Sequence, residues 1–128
     1  MKSTAASKPG SPAPAFERDH AERTGVALPA REIVSAAEGG DRAAAATLAG
    51  YHDRLARALA SLINVLDPDV VVLGGGMSNI TGLPEAAQAL LPRYLFAAGA
   101  SADPVATRVV RAAHGDSSGV LGAARLWP

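Results

Sequence analysis

Residues 66–79, Leu-Asp-Pro-Asp-Val-Val-Val-Leu-Gly-Gly-Gly-Met-Ser-Asn, give the backbone three instructions in succession. An amphipathic helical pattern runs into Asp67-Pro68 and must stop there, because proline disfavours helical backbone in the residue ahead of it. Val70–Leu73 is then a short, wholly apolar run, which reads as a strand buried on both faces. Gly74, Gly75 and Gly76 follow, and a helical pattern resumes after them. Glycines between a strand and a helix let a ligand come close to the backbone. No other stretch of the chain is as ready to hold a small molecule.

The pattern around this segment supplies the remaining elements. Residues 1–14, rich in Ser, Ala, Pro and Gly, read as a flexible leader. Residues 15–23 form a short charged helix that Gly25 terminates, and residues 29–38 form a second, closed by Gly39-Gly40. Asp41 is placed to cap a long helix that reaches about Leu66. Leu48, Tyr51, Leu55, Leu59, Leu62, Ile63 and Leu66 recur along it at three- and four-residue intervals as one apolar stripe. A further helix is expected over residues 82–96, with Pro84 tolerable in its first turn. A loop over 97–104, a second strand over 107–112 and a last helix capped by Asp116-Ser117-Ser118 complete the order. Helix, strand, helix, strand, helix through a right-handed crossover is an α/β arrangement with a short parallel sheet. Two strands are too few to make a sheet on their own.

Composition narrows the chemistry. At 128 residues and 48% hydrophobic content, the chain has room for one globular domain. Twelve Lys and Arg balance twelve Asp and Glu, which leaves no electrostatic footprint for nucleic acid or an anionic membrane. With no Cys, disulfides, thiolate metal sites and cysteine nucleophiles are all excluded. No apolar run approaches the roughly 20 residues that span a bilayer, and the first ten residues lack the apolar core of a secretory signal. The expectation is a soluble, cytoplasmic protein.

Each cluster of reactive side chains has a plain alternative. Gly74-Gly75-Gly76 could face an anion or nucleotide through backbone N–H groups, or could be a tight turn and no more. Gly74, Gly76 and Asn79 miss the dinucleotide fingerprint, and the lysine of a phosphate-cradling loop is absent. His114, Asp116 and Ser117 are the residue types of a hydrolase triad, but neighbours in a helix-start turn do not converge, so helix capping is the simpler role. His20 and His52 fall on charged helix faces and read as solvated, and three scattered histidines give no metal-ligand spacing. Asp67 and Asp69 read as turn residues, and Arg54 and Arg57 as a solvated face with local ion pairs to Asp53.

Three blocks of sequence, in order, resemble one family. They are residues 16–25 (Phe-Glu-Arg-Asp-His-Ala-Glu-Arg-Thr-Gly), residues 66–79 preceded by 51–60, and the terminal residues 114–128. Together they look like the C-terminal part of ROK-family sugar kinases, in the bacterial fructokinase and N-acetylglucosamine kinase branch. The likeness implies a partial actin/hexokinase-like (ribonuclease H-like) C-terminal lobe over residues 15–128. It also implies ATP with Mg held between two lobes and a hexose hydroxyl as acceptor. By the same likeness, Gly74, Gly75, Gly76, Met77 and Ser78 belong to the nucleotide site, with the glycines as a wall on the adenosine side.

Other family hallmarks have no match here. The opening Asp-x-Gly phosphate loop, the Asn-Asp pair that deprotonates the sugar, the second Gly-rich phosphate loop and the Cys-rich zinc loop are all missing. Phosphoryl transfer depends on charge and positioning around the γ-phosphate, which those parts supply. The chain is therefore expected to be a truncated kinase, inactive alone, that self-associates or is completed by an N-terminal kinase half. A non-catalytic nucleotide-binding or interaction module is the alternative. A fragment of a ROK transcriptional repressor is a third reading, disfavoured by neutral charge and absent DNA-binding helices.

Overall fold

The structure is a computed structural model that describes residues 13–96, 105–114 and 123–126. The expected flexible leader, apart from its last two residues, and the helix expected after Asp116, apart from residues 123–126, lie outside the described residues. The chain divides into two compact units, one ending at Tyr51 and the other beginning at His52.

The first unit contains α1 (Ala13–Thr24), α2 (Ala30–Glu38) and the beginning of α3 (Arg42–Leu66). Pro29 precedes α2 and has no side-chain acceptor to offer, so Glu17 of α1 accepts the Ala30 N–H instead, at 2.9 Å. Phe16 is 1% exposed and meets the Tyr51 ring edge-on, with centroids 5.5 Å apart. His20 is not solvated: it is 3% exposed, and its Nδ1 lies 3.1 Å from the Thr47 hydroxyl. That hydroxyl donates to the Ala43 carbonyl, so Nδ1 carries the proton it shares with Thr47. A charged sequence neighbourhood concealed an inward-facing position.

Between α2 and α3 the backbone reverses in a compact motif. Asp41 N–H donates to the Ala36 carbonyl and Gly40 N–H to that of Ala37, with Gly40 at φ +95°. Asp41 also caps α3 as expected, its Oδ1 accepting the Ala44 N–H at 2.8 Å.

In the second unit α3 ends at Asp67, which adopts left-handed backbone at φ +46° while its N–H still reaches the Ile63 carbonyl. β1 (Val70–Leu73) then pairs in parallel with β2 (Arg108–Arg111), with Val70 opposite Arg108 and Leu73 opposite Arg111. α4 (Leu83–Leu90) is shorter than the expected helix over 82–96 and passes into a 3₁₀ turn at Leu91–Arg93. Pro92 is the cause: it lacks an N–H, and its ring excludes the carbonyl four residues back. The core joins Leu59, Ala60 and Ile63 of α3 to Ala87, Leu91 and Val109, with Val71 and Leu73 packed against them.

The apolar stripe of α3 is only partly covered. Ile63 is buried, but Leu62 is 53% and Leu66 69% exposed, because among the described residues nothing packs over them. On β1 the same division appears: Val71 and Leu73 face the core, while Val70 and Val72 are exposed. The parallel pairing fits the sequence reading, and the second apolar face of β1 lies bare.

Candidate functional site

The turn after β1 is built from its backbone. Gly75 lies at φ +84° and ψ 177°, a region essentially closed to residues with a Cβ. Its carbonyl accepts both the N–H of Ser78, at 3.1 Å, and the Ser78 hydroxyl, at 2.5 Å. This double acceptance starts a 3₁₀ turn over Gly76–Asn79, which continues through Ile80 N–H to the Met77 carbonyl. Gly82, at φ +73°, then opens α4.

The five residues expected at a nucleotide site therefore sit in one turn, with unlike exposure. A Cβ added at Gly74, Gly75 or Gly76 would meet no atom within 4 Å, so the three glycines border open space on the strand's C-terminal end. Met77 and Ser78 are buried, and the Ser78 hydroxyl is engaged with Gly75. The Ser78 hydroxyl holds the turn, and the exposed glycine backbone is what the turn presents outward. Among the described residues the backbone at the three glycines is open on its outer side. For zinc there is no ligand set: the chain has no Cys, and no three His, Asp or Glu side chains gather among the described residues.

Two polar arrangements frame the sheet below the turn. Gln88 of α4 donates from Nε2 to the Thr107 carbonyl, at 2.9 Å, and accepts the Val109 N–H on Oε1, at 2.7 Å. The Thr107 hydroxyl donates to the Pro68 carbonyl, at 2.6 Å, tying the start of β2 to the turn ahead of β1. Neither residue is apolar or periodic, so pattern reading passed over both. The only signal was a polar residue within the amphipathic pattern of α4.

A third cluster clarifies the Arg-rich face. Arg57 pairs with Asp53 at 2.9 Å, as expected, but also lies over the Tyr94 ring, 5.4 Å from its centroid. The Tyr94 hydroxyl donates to Asp53 and, with help from Arg57, holds that carboxyl below its ordinary range. Asn64 donates to the Tyr94 carbonyl at 3.2 Å and so ties the chain after α4 back to α3. His52 is half-buried, its Nε2 has no hydrogen-bond partner, and burial lowers its pKa.

Sequence comparison decides the family: the model of the ROK family matches residues 12–128. The chain belongs to the ROK family. It is 43% identical over 101 residues to the N-acetyl-D-glucosamine kinase of Citrobacter koseri, covering 77% of this chain and 31% of that protein. Among solved structures it is similar to the ROK hexokinase of Thermus thermophilus, with TM-score 0.72 and 34% identity, over 88% of this chain and 38% of the other. It also resembles a ROK glucokinase of Streptomyces griseus solved with glucose and AMPPNP, with TM-score 0.68 and 26% identity, over 88% of this chain and 36% of that one. The chain spans about a third of the length of the curated ROK relatives it matches. No helix among the described residues is long and apolar enough to cross a membrane.

Proposed function

We propose that this chain is the C-terminal part of an ATP-dependent ROK sugar kinase, from the N-acetylglucosamine kinase and fructokinase branch, and does not phosphorylate sugars alone. The observation that carries this reading is the glycine turn. Gly74, Gly75 and Gly76 follow the core strand of a ROK lobe, and no side chain among the described residues fills the space they border. An adenosine moiety lying against that backbone would need glycine at all three positions. The nucleotide would supply the transferable phosphoryl group, and this chain's residues would do no more than seat its adenosine end. Gly75 sets the turn, Ser78 pins it, and Met77 is buried within it. The residues that would hold the γ-phosphate with Mg and deprotonate the sugar have no match in this sequence.

Titration calorimetry with adenosine, ADP and ATP tests the reading, alongside a phosphorylation assay with glucose, fructose and N-acetylglucosamine. Weak binding of all three adenine compounds and no sugar phosphate are expected. Absence of heat at millimolar ligand overturns the adenosine wall, and turnover by the chain alone overturns the incomplete kinase.

A further inference from the structure

The two strands end together. Leu73, the last residue of β1, lies opposite Arg111, the last of β2, and Ala112 N–H donates to the Leu73 carbonyl at 2.8 Å. Gly74 follows Leu73 directly, so Arg111 stands one strand spacing, about 4.8 Å, from the residue that opens the glycine turn. The pairing is parallel, so both carboxyl ends point the same way, and open α/β sheets take their ligands outside the carboxyl ends of their strands. The backbone bond to Leu73 fixes Arg111 at that end of the sheet.

Arg111 takes no part in holding the sheet's core. Side chains two apart on a strand share a face, so Arg111 shares that of Val109, which is buried with Leu59, Ile63 and Leu91. Unlike Val109 it is exposed, and among the described residues its guanidinium pairs with no carboxylate. The other arginine of β2, Arg108, is also exposed and unpaired, but lies opposite Val70 at the far end of the strand, roughly 10 Å along it. One free cation therefore flanks the glycine turn and its twin does not. Charge alone leaves open which part of a nucleotide Arg111 meets, and position decides it. Arg111 is level with the first glycine of the adenosine wall, so what it reaches is the adenosine end. A guanidinium is planar and stacks on the face of a base, whereas an ammonium is a compact point charge.

We propose that Arg111 is the base-stacking residue of the glycine-turn site, its guanidinium lying over the adenine ring of a nucleotide seated on the Gly74–Gly76 backbone; this rests on the reading of that turn as an adenosine wall. Calorimetric titration of the full 128-residue chain with adenosine, ADP and ATP tests it, on the wild type and on Arg111→Ala, Arg111→Lys and Arg108→Ala. Arg111→Ala should weaken all three ligands by one common factor, about two- to fivefold, as expected for a cation stacked at an exposed site. Arg111→Lys keeps the charge and loses the plane, so it should recover little, and Arg108→Ala should bind like the wild type. Thermal midpoints should stay at the wild-type value, because the replaced side chains are exposed. Should Arg111→Ala lower the midpoint, Arg111→Lys decides alone. A loss that grows from adenosine to ATP gives Arg111 a phosphate in place of the base and overturns the inference. Full recovery by lysine, or an equal loss in Arg108→Ala, does the same. Wild-type affinity in both Arg111 variants overturns the stacking and leaves the wall standing, whereas no heat from the wild-type chain removes the wall and the stacking with it.

Discussion

Gly75 and its two glycine neighbours separate a demand of the fold from a demand of a ligand. At φ +84° and ψ 177°, Gly75→Ala should destabilise the second unit by about 1–3 kcal/mol in chemical denaturation. Gly74 and Gly76 have no such backbone and border open space, so Gly74→Ala and Gly76→Ala should leave the unfolding midpoint within error while weakening adenine-nucleotide binding. Loss of stability without loss of binding at those two positions would contradict the adenosine wall. His52 makes a separate prediction. Burial depresses its pKa below the ordinary 6.5, so the unfolded chain takes up the proton first as pH falls. Its contribution is whole above about pH 6.5 and is lost as pH falls toward the depressed value. His52→Leu should therefore flatten the decline of the thermal midpoint between about pH 7 and 5; parallel declines in the two proteins would count against it. Asp53, held low chiefly by the Tyr94 hydroxyl, acts in the same direction at lower pH: its stabilisation is present above the ordinary carboxylate value and lost as acid protonates it.

Single polar side chains join several elements of this chain. Asp41 ends one helix with its N–H and begins the next with its carboxylate. Asp41→Ala should cost about 1 kcal/mol, read in urea unfolding, while Asp41→Asn should cost less. Gln88→Ala strands a carbonyl and an N–H at the edge of β2 and should cost about 1–3 kcal/mol. These two residues mark what could be read from the sequence. Asp41 was legible because capping is local: a short acidic side chain before an apolar-periodic run has one evident use. Val70–Leu73 and the Asp67 stop were legible for the same reason. Gln88 was not, since its partners lie 19 and 21 residues away and nothing in its neighbours announces them. His20 was misplaced because the charged residues beside it dominate the pattern while Thr47, 27 residues on, decides its burial. Pro92 cuts α4 short despite the apolar period of residues 83–95. At the candidate site the glycines stand out in the sequence by type and order, whereas the engagement of the Ser78 hydroxyl with Gly75 follows only from the fold of the turn.

For the molecule as a whole, a wall on the adenosine side without phosphate loops predicts affinities that barely depend on phosphate number. Adenosine, ADP and ATP should bind within severalfold of one another, and a steep gain from adenosine to ATP would mean that phosphate-holding groups lie within this chain. The Gln88 amide beside β2 has a consequence for how the chain behaves when concentrated. Runaway fibre growth through edge pairing needs two acceptor edges per copy, so that each addition exposes a fresh one. Here Gln88 takes the Thr107 carbonyl and the Val109 N–H on the outer side of β2 with a side-chain amide that imitates a neighbouring peptide group. With that stretch of β2 occupied, pairing of two copies through β1 closes at a dimer. Light scattering of the concentrated protein should accordingly level off at small species, and Gln88→Ala, by restoring the second edge, should turn a closed reaction into an open-ended polymerisation.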